Sequence, residues 1–198
     1  MKVALLGASG KAGQRLIAEL TGRGHAVTGI ARHAAETGVP MRIADATDAE
    51  ALAGAIAGHD ALFHAANFRS SDAGTVLEAM QRAKVPRLLV VGGAGTLFVS
   101  PGVPFIDSPE FPEAFRPEVA AGRDFLQALR ASDADWTFLS PALNFGPGER
   151  TGVYRLGGDD LLRDARGESR ISYEDLAKAL VDELEEPRHA RRRFSIAY

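Results

Sequence analysis

Lys2-Val3-Ala4-Leu5-Leu6-Gly7-Ala8-Ser9-Gly10-Lys11-Ala12-Gly13-Gln14-Arg15-Leu16-Ile17 is the stretch on which the fold turns. An apolar run of strand character meets glycines at 7, 10 and 13, and Leu16, Ile17 and Leu20 then recur on one face of a helix predicted over 11–20. Strand, glycine-rich turn and helix in that order are the context a phosphate-cradling G-x-x-G-x-x-G requires. The first glycine permits the tight turn, the second lets the backbone approach a pyrophosphate, and the third packs helix against strand. The helix N-terminus adds unpaired N–H groups and the positive end of the dipole. Gly7, Ser9, Gly10, Lys11, Ala12 and Gly13 are therefore candidate dinucleotide contacts. A nucleoside-triphosphate lysine loop is excluded, because no Ser or Thr follows Gly10-Lys11 and Leu5 stands where its first glycine belongs.

Outward from this turn, short apolar runs alternate with amphipathic stretches. Strands are predicted at 2–6, 26–31, 41–44, 61–65, 87–91, 136–139 and 193–197, and helices at 48–57, 71–84, 119–130 and 172–185. Thr47-Asp48-Ala49-Glu50 reads as a capping box, and Ser172 with Asp175 as a second helix start. Residues 92–117 are rich in Gly and Pro without periodicity, which suggests a functional loop, and 152–162 suggests a hairpin turning at Gly157-Gly158. Strand–helix alternation implies parallel pairing and right-handed crossovers. The expected fold is a doubly wound α/β (Rossmann) single domain over 1–198, with a small substrate lobe drawn mainly from 141–198.

Composition narrows the function. A length of 198 residues suits one domain, and 45% hydrophobic with 25% charged residues is a soluble globular balance. The absence of cysteine excludes disulfides, thiolate metal sites and a cysteine nucleophile. The five histidines are scattered, with no carboxylate–histidine ligand spacing, so no metal is expected. A net charge of −3 argues against nucleic-acid partners, and Arg191-Arg192-Arg193 is read as a solvated strand edge. No apolar stretch reaches the ~20 residues of a membrane span, and 1–6 is too soon broken by Gly7 to be a signal peptide. A soluble cytoplasmic protein, possibly a homodimer, is the expectation.

The cofactor preference is read from Thr28-Gly29-Ile30-Ala31-Arg32-His33. An NAD-selective site places Asp or Glu here to accept from the ribose 2′-hydroxyl, whereas a guanidinium pairs with a 2′-phosphate. Arg32 therefore points to NADP(H) over NAD(H). Gly92 and Gly93, at the carboxyl end of a strand, would floor the ligand site, and Pro141 and Asn144 should border the nicotinamide.

The glycine spacing resembles the extended and atypical branches of the short-chain dehydrogenase/reductase superfamily. Asp60-Ala61-Leu62-Phe63-His64-Ala65-Ala66 resembles the fourth-strand segment of those branches. The resemblance implies that Ala65 and Ala66 pass close to the cofactor and that Asp45 stands at the adenine-contacting position; His64 is read as structural. The superfamily's usual Y-x-x-x-K pair is missing. Tyr154, Tyr173 and Tyr198 have no lysine four residues on, 111–130 holds neither Tyr nor Lys, and Gly92-Gly93-Ala94-Gly95 replaces the usual serine. Arg87–Gly95, Asp135–Pro141 and Ile171–Ala177 look like the atypical subgroup of biliverdin-reductase-B-like flavin reductases, nitrogen-metabolite-repression-type regulators and NADPH-dependent quinone reductases. The chain departs from that pattern at Ser140, where arginine is common.

Hydride transfer to a flavin or quinone needs proximity and stacking more than a tyrosine acid. The leading expectation is thus an NAD(P)H-dependent reductase of a planar acceptor, with no catalytic residue assignable. A non-catalytic redox sensor is the second reading, and an epimerase- or dehydratase-like enzyme with Tyr154 or Tyr173 displaced into the site is the third.

Overall fold

The computed structural model describes residues 1–198. Strand β1 (Lys2–Leu6) leads through the glycine turn into helix α1 (Lys11–Gly22), followed by β2 (Ala26–Ala31), β3 (Met41–Ile43), α2 (Ala49–Ile56), β4 (Ala61–His64), α3 (Ala73–Ala83) and β5 (Arg87–Val91). A short hairpin, β6 (Phe98–Ser100) and β7 (Val103–Pro104), precedes α4 (Arg116–Ala131) and β8 (Asp135–Ser140). The chain ends with β9 (Asn144–Gly146), β10 (Arg155–Gly157), β11 (Arg170–Ser172), α5 (Tyr173–Glu185) and β12 (Arg192–Ala197).

The main sheet runs β10-β12-β8-β5-β4-β1-β2-β3, and every pair in it is parallel except β10 with β12. From β1 the chain builds outward through β2 and β3, then crosses back to place β4 on the other side of β1. The switch point between β1 and β4 opens the crevice in which doubly wound folds bind ligands. Helices α1 and α5 cover one face, and α2, α3 and α4 the other, over cores of 23 and 22 buried residues. Burial on both faces explains why the central strands read as continuous apolar runs rather than alternating ones. A second parallel pair, β9 with β11, brings the residues after β8 beside the start of α5. No helix is long and apolar enough to cross a membrane.

Several boundaries differ from the sequence reading. At 47–50 the cap is Asp48, whose carboxylate accepts from the N–H groups of Glu50 and Ala51, while the Thr47 hydroxyl is drawn to Asp45. Helix α4 begins at Arg116, three residues early, with Pro117 in its first turn where a missing N–H costs nothing. The hairpin expected over 152–162 does not form. Arg155–Gly157 instead completes the ladder on the free side of β12, and the chain then crosses to the β6 segment, where Phe98 N–H donates to the Asp159 carbonyl at 2.9 Å.

In the arginine run Arg191 and Arg192 are exposed as expected, but the strand is not an edge, because β12 lies between β8 and β10, and Arg193 is buried. The Arg193 side chain is only 2% exposed; it pairs with Asp159 and donates to the Thr96 carbonyl and hydroxyl at 3.0 and 2.9 Å.

Candidate functional site

The glycine turn forms the floor of a cleft of about 320 Å³ at the β1/β4 switch point. Gly7 adopts φ +84°, a left-handed conformation; a Cβ there would lie 2.5 Å from the Ala65 carbonyl oxygen. The turn is closed by Gly10 N–H donating to the Gly7 carbonyl at 3.0 Å and by Gln14 Nε2 donating to the Ala8 carbonyl at 3.1 Å. A side chain on Gly13 would overlap the Gly7 carbonyl oxygen, so this third glycine serves helix–strand packing. Helix α1 starts with no side-chain cap and no acidic residue in its first turn, which leaves its N–H groups and dipole available to an anion.

Of the residues named from sequence, Gly7, Ser9, Gly10, Arg32, Ala65 and Ala66 line this cleft together. Arg32 is exposed at its rim, directly after β2. Asp45 sits between two cleft residues, Ala44 and Ala46. Its carboxylate pKa is lowered by the Thr47 N–H (2.9 Å), then by the Thr47 hydroxyl (2.8 Å), with the Arg32 charge adding a smaller effect. Asp45 thus shapes the turn as well as the rim. Lys11 is exposed, Ala12 half-buried and Pro141 buried, and none of the three lines the cleft.

Gly92 and Gly93 line a separate, smaller slot of about 120 Å³ between the end of β5 and helix α4. Its walls include Phe68, Val119 and Phe138, and its one charged side chain is Glu118. A Cβ on Gly92 would collide with the Phe138 ring, and one on Gly122 would lie 2.9 Å from Phe68. These two glycines therefore exist to admit aromatic rings. The Phe68 and Phe138 rings are nearly parallel, 16° apart at 5.9 Å between centroids, and His64 continues the stack on Phe68 at 5.4 Å and 16°. Glu118 fixes the turn that carries Phe68: its carboxylate accepts from Phe68 N–H at 2.7 Å and Arg69 N–H at 3.3 Å. Asn67 and Ser70 of the same turn line the glycine cleft, so the turn is a wall common to both spaces.

His64 is fully buried, as a structural histidine should be. Its Nε2 lies 2.7 Å from Ser71 Oγ, which also lies 3.2 Å from the Asn67 carbonyl oxygen, and its Nδ1 has no hydrogen-bond partner. Burial pushes its pKa down to about 4, so the ring is neutral at physiological pH.

The three tyrosines lie elsewhere. Tyr154 packs on the outer side of α5 with its hydroxyl 3.2 Å from Asp182 and 3.4 Å from Lys178 Nζ. That pair superficially matches a tyrosine–lysine catalytic couple, but burial, followed by the Asp182 charge, raises the phenol's pKa rather than lowering it. Tyr173 meets Phe145 edge-on at 4.4 Å. Tyr198 donates to Ser172 Oγ or Asp175 Oδ2, each at 2.8 Å, beside a cavity of about 810 Å³ that also contains Asn144. Asn144 therefore belongs to this third space rather than to the glycine cleft.

Sequence reasoning missed Phe68, Glu118, Val119 and Gly122. A carboxylate at 118 and a glycine at 122, at the i, i+4 spacing on the helix expected to carry Tyr and Lys, was the available signal.

A doubly wound sheet with a glycine cradle at its switch point, and with the tyrosine–lysine pair absent, defines a dinucleotide-binding protein of the atypical short-chain dehydrogenase/reductase type. The chain belongs to the NAD(P)H-binding family, whose match covers residues 7–187. It is similar to the uncharacterised protein YwnB of Bacillus subtilis, with 40% identity over 99% of this chain and 98% of that one. A proposed epimerase from Bacteroides thetaiotaomicron is 40% identical with a TM-score of 0.91, over 100% of this chain and 96% of the other. A proposed NADH-flavin reductase from Streptococcus pneumoniae is 34% identical with a TM-score of 0.87, over 100% and 99% of the two chains.

Proposed function

We propose that this chain is an NAD(P)H-dependent oxidoreductase that prefers NADPH and reduces a planar acceptor such as a flavin or a quinone. The cleft at the switch point carries this reading. Its residues fit a dinucleotide: a Cβ at position 7 would block the close approach of backbone, and the uncapped α1 suits a pyrophosphate. Arg32 stands where a 2′-phosphate would need a guanidinium and where an NAD-selective site would carry a carboxylate. A bound nicotinamide would supply the hydride. The chain's own part is then to hold the dinucleotide by backbone N–H groups and Arg32, to keep Ala65 and Ala66 small beside it, and to present an acceptor next to it. Similarity to a proposed NADH-flavin reductase supports a planar acceptor.

Similarity to a proposed epimerase favours the alternative of sugar chemistry, but that reading needs a phenol at the reacting carbon. No tyrosine lines the cleft or the slot.

The test is NADPH and NADH oxidation, followed by absorbance, with FMN, with a quinone and with no acceptor. Turnover with a planar acceptor, faster with NADPH, is expected. Tight NADPH binding without turnover on any such acceptor would refute the reductase reading in favour of a redox sensor.

A further inference from the structure

We infer that His33 is a second reader of the ribose 2′-phosphate beside Arg32, acting as an imidazolium, so that the preference for NADPH over NADH strengthens as pH falls from about 8 toward 6.5. The inference rests on the proposal above that the cleft holds a phosphorylated dinucleotide.

The first observation is place. Ile30, Ala31, Arg32, His33, Ala34 and Ala35 all line the cleft, so the chain leaving β2 wraps that end of it instead of touching it at one point. Arg32 and His33 are the only charged or titratable members of the lining.

The second is availability. The rings of His25, His59, His64 and His189 each have a hydrogen-bond partner. His33, exposed at the rim beside Arg32, has none, and neither of the two forms an ion pair.

The third is charge. A phosphate monoester carries about −1.5 to −2 near neutral pH and offers three acceptor oxygens. A guanidinium takes two of them in its planar fork and neutralises one charge. An oxygen and part of a charge remain, which suits one further cationic N–H donor. No carboxylate lines the cleft to compete for that donor. On the flanking segments Asp45 accepts from Thr47, Asp48 caps α2, and Glu36 lies outside the lining. Lys11 at the start of α1 and Arg69 in the turn after β4 also lie outside it.

Histidine ordinarily changes charge between about pH 5 and 8, whereas carboxylates, lysines and arginines ordinarily keep theirs from about 6.5 to 8. His64, next in sequence to the cleft residue Ala65, is neutral throughout this upper range. An anion beside an imidazole favours its charged form. Binding of NADP(H) therefore takes up a proton that binding of NAD(H) does not, and by linkage its affinity rises as pH falls. Below about pH 6 the phosphate takes up its own second proton and the gain is lost.

The test is calorimetric titration of NADP⁺ and NAD⁺ into the full chain at about pH 7.5, each repeated in two buffers of different ionisation enthalpy so that protons are counted. Uptake of roughly 0.2–0.5 proton per site is expected with NADP⁺ and none with NAD⁺. The NADP⁺-over-NAD⁺ affinity ratio should grow roughly three- to tenfold between about pH 8 and 6.5. His33→Gln should remove both the uptake and the pH slope, with NAD⁺ binding unchanged. His33→Arg should keep tight NADP⁺ binding without proton uptake, a rescue that a merely structural ring would not give.

No proton uptake in the native chain, an affinity ratio that does not change with pH, or uptake that persists in His33→Gln would overturn the inference. Failure of NADP⁺ to bind at all would overturn the phosphorylated-dinucleotide reading and the inference with it, and the binding isotherm itself tells the two failures apart.

Discussion

Arg32 and His64 show how far a single residue can be read. The position of Arg32 was legible because it depends on distance along the chain: it follows the strand after the glycine turn, and the fold returns that strand end to the cleft, where we propose that it pairs with a 2′-phosphate. A charge-assisted pair of this kind contributes about 1.5–3 kcal/mol. Arg32→Ala should therefore lower the NADPH-over-NADH affinity ratio by roughly 10- to 100-fold, with NADH binding little changed, as measured by fluorescence titration of both nucleotides. Glu118 and Phe68 were not legible, since their meaning lies in a contact between residues fifty apart in sequence.

His64 carries a pH signature. Its folded pKa of about 4 lies below the ordinary 6.5 that it regains on unfolding. Between these values the unfolded chain takes up a proton that the folded chain refuses, so stability is complete above pH 6.5 and falls as pH drops toward 4. The loss should be on the order of 3 kcal/mol. Urea midpoints measured across that window should flatten in His64→Leu relative to the native chain. An equal slope in both would mean that the imidazole is not held neutral.

At the level of elements, most strands and helices follow from periodicity and caps. Ser172 caps α5 as its position suggested, with Asp175 N–H donating to Ser172 Oγ at 2.9 Å. The errors fall where tertiary pairing overrode a local signal. Gly157-Gly158 has the look of a hairpin turn, but Arg155–Gly157 found a better ladder on β12. Arg191-Arg192-Arg193 has the look of a surface run, but Arg193 points inward to Asp159, which also accepts from Arg130 at 3.0 Å.

This buried guanidinium ties β12 to the loop after β5 through Thr96. Removing its carboxylate leaves a charge without its counter-ion, a cost of about 3–5 kcal/mol for fully buried pairs and nearer 2 kcal/mol here, where Asp159 is partly exposed. Asp159→Ala should shift the denaturant midpoint accordingly, while Asp160→Ala, an exposed neighbour, should change stability by less than about 0.5 kcal/mol. Equal effects would show that the ion pair does not secure the strand.

For the whole molecule, doubly wound topology was legible because alternating strands and helices leave few right-handed ways to bury two apolar faces. The resulting sheet places its switch point at the glycine turn and so turns a local motif into a site. The acceptor side was less legible. Residues 92–117 and 141–170 fold through single helical turns, short strands and long-range bonds that carry no periodicity. Pro141 and Asn144, expected beside the nicotinamide, are a buried packing residue and part of a separate cavity respectively. The missing tyrosine–lysine pair, visible in sequence, gains a structural counterpart: its helix bears a carboxylate and a glycine that shape an aromatic slot.

The central claim is that the glycine cleft binds a phosphorylated nicotinamide dinucleotide. Calorimetric titration of NADPH and NADH into the unmodified chain tests it most directly. One site per chain with NADPH clearly tighter than NADH is the expected result; no binding of either, or NADH bound as tightly as NADPH, would contradict it.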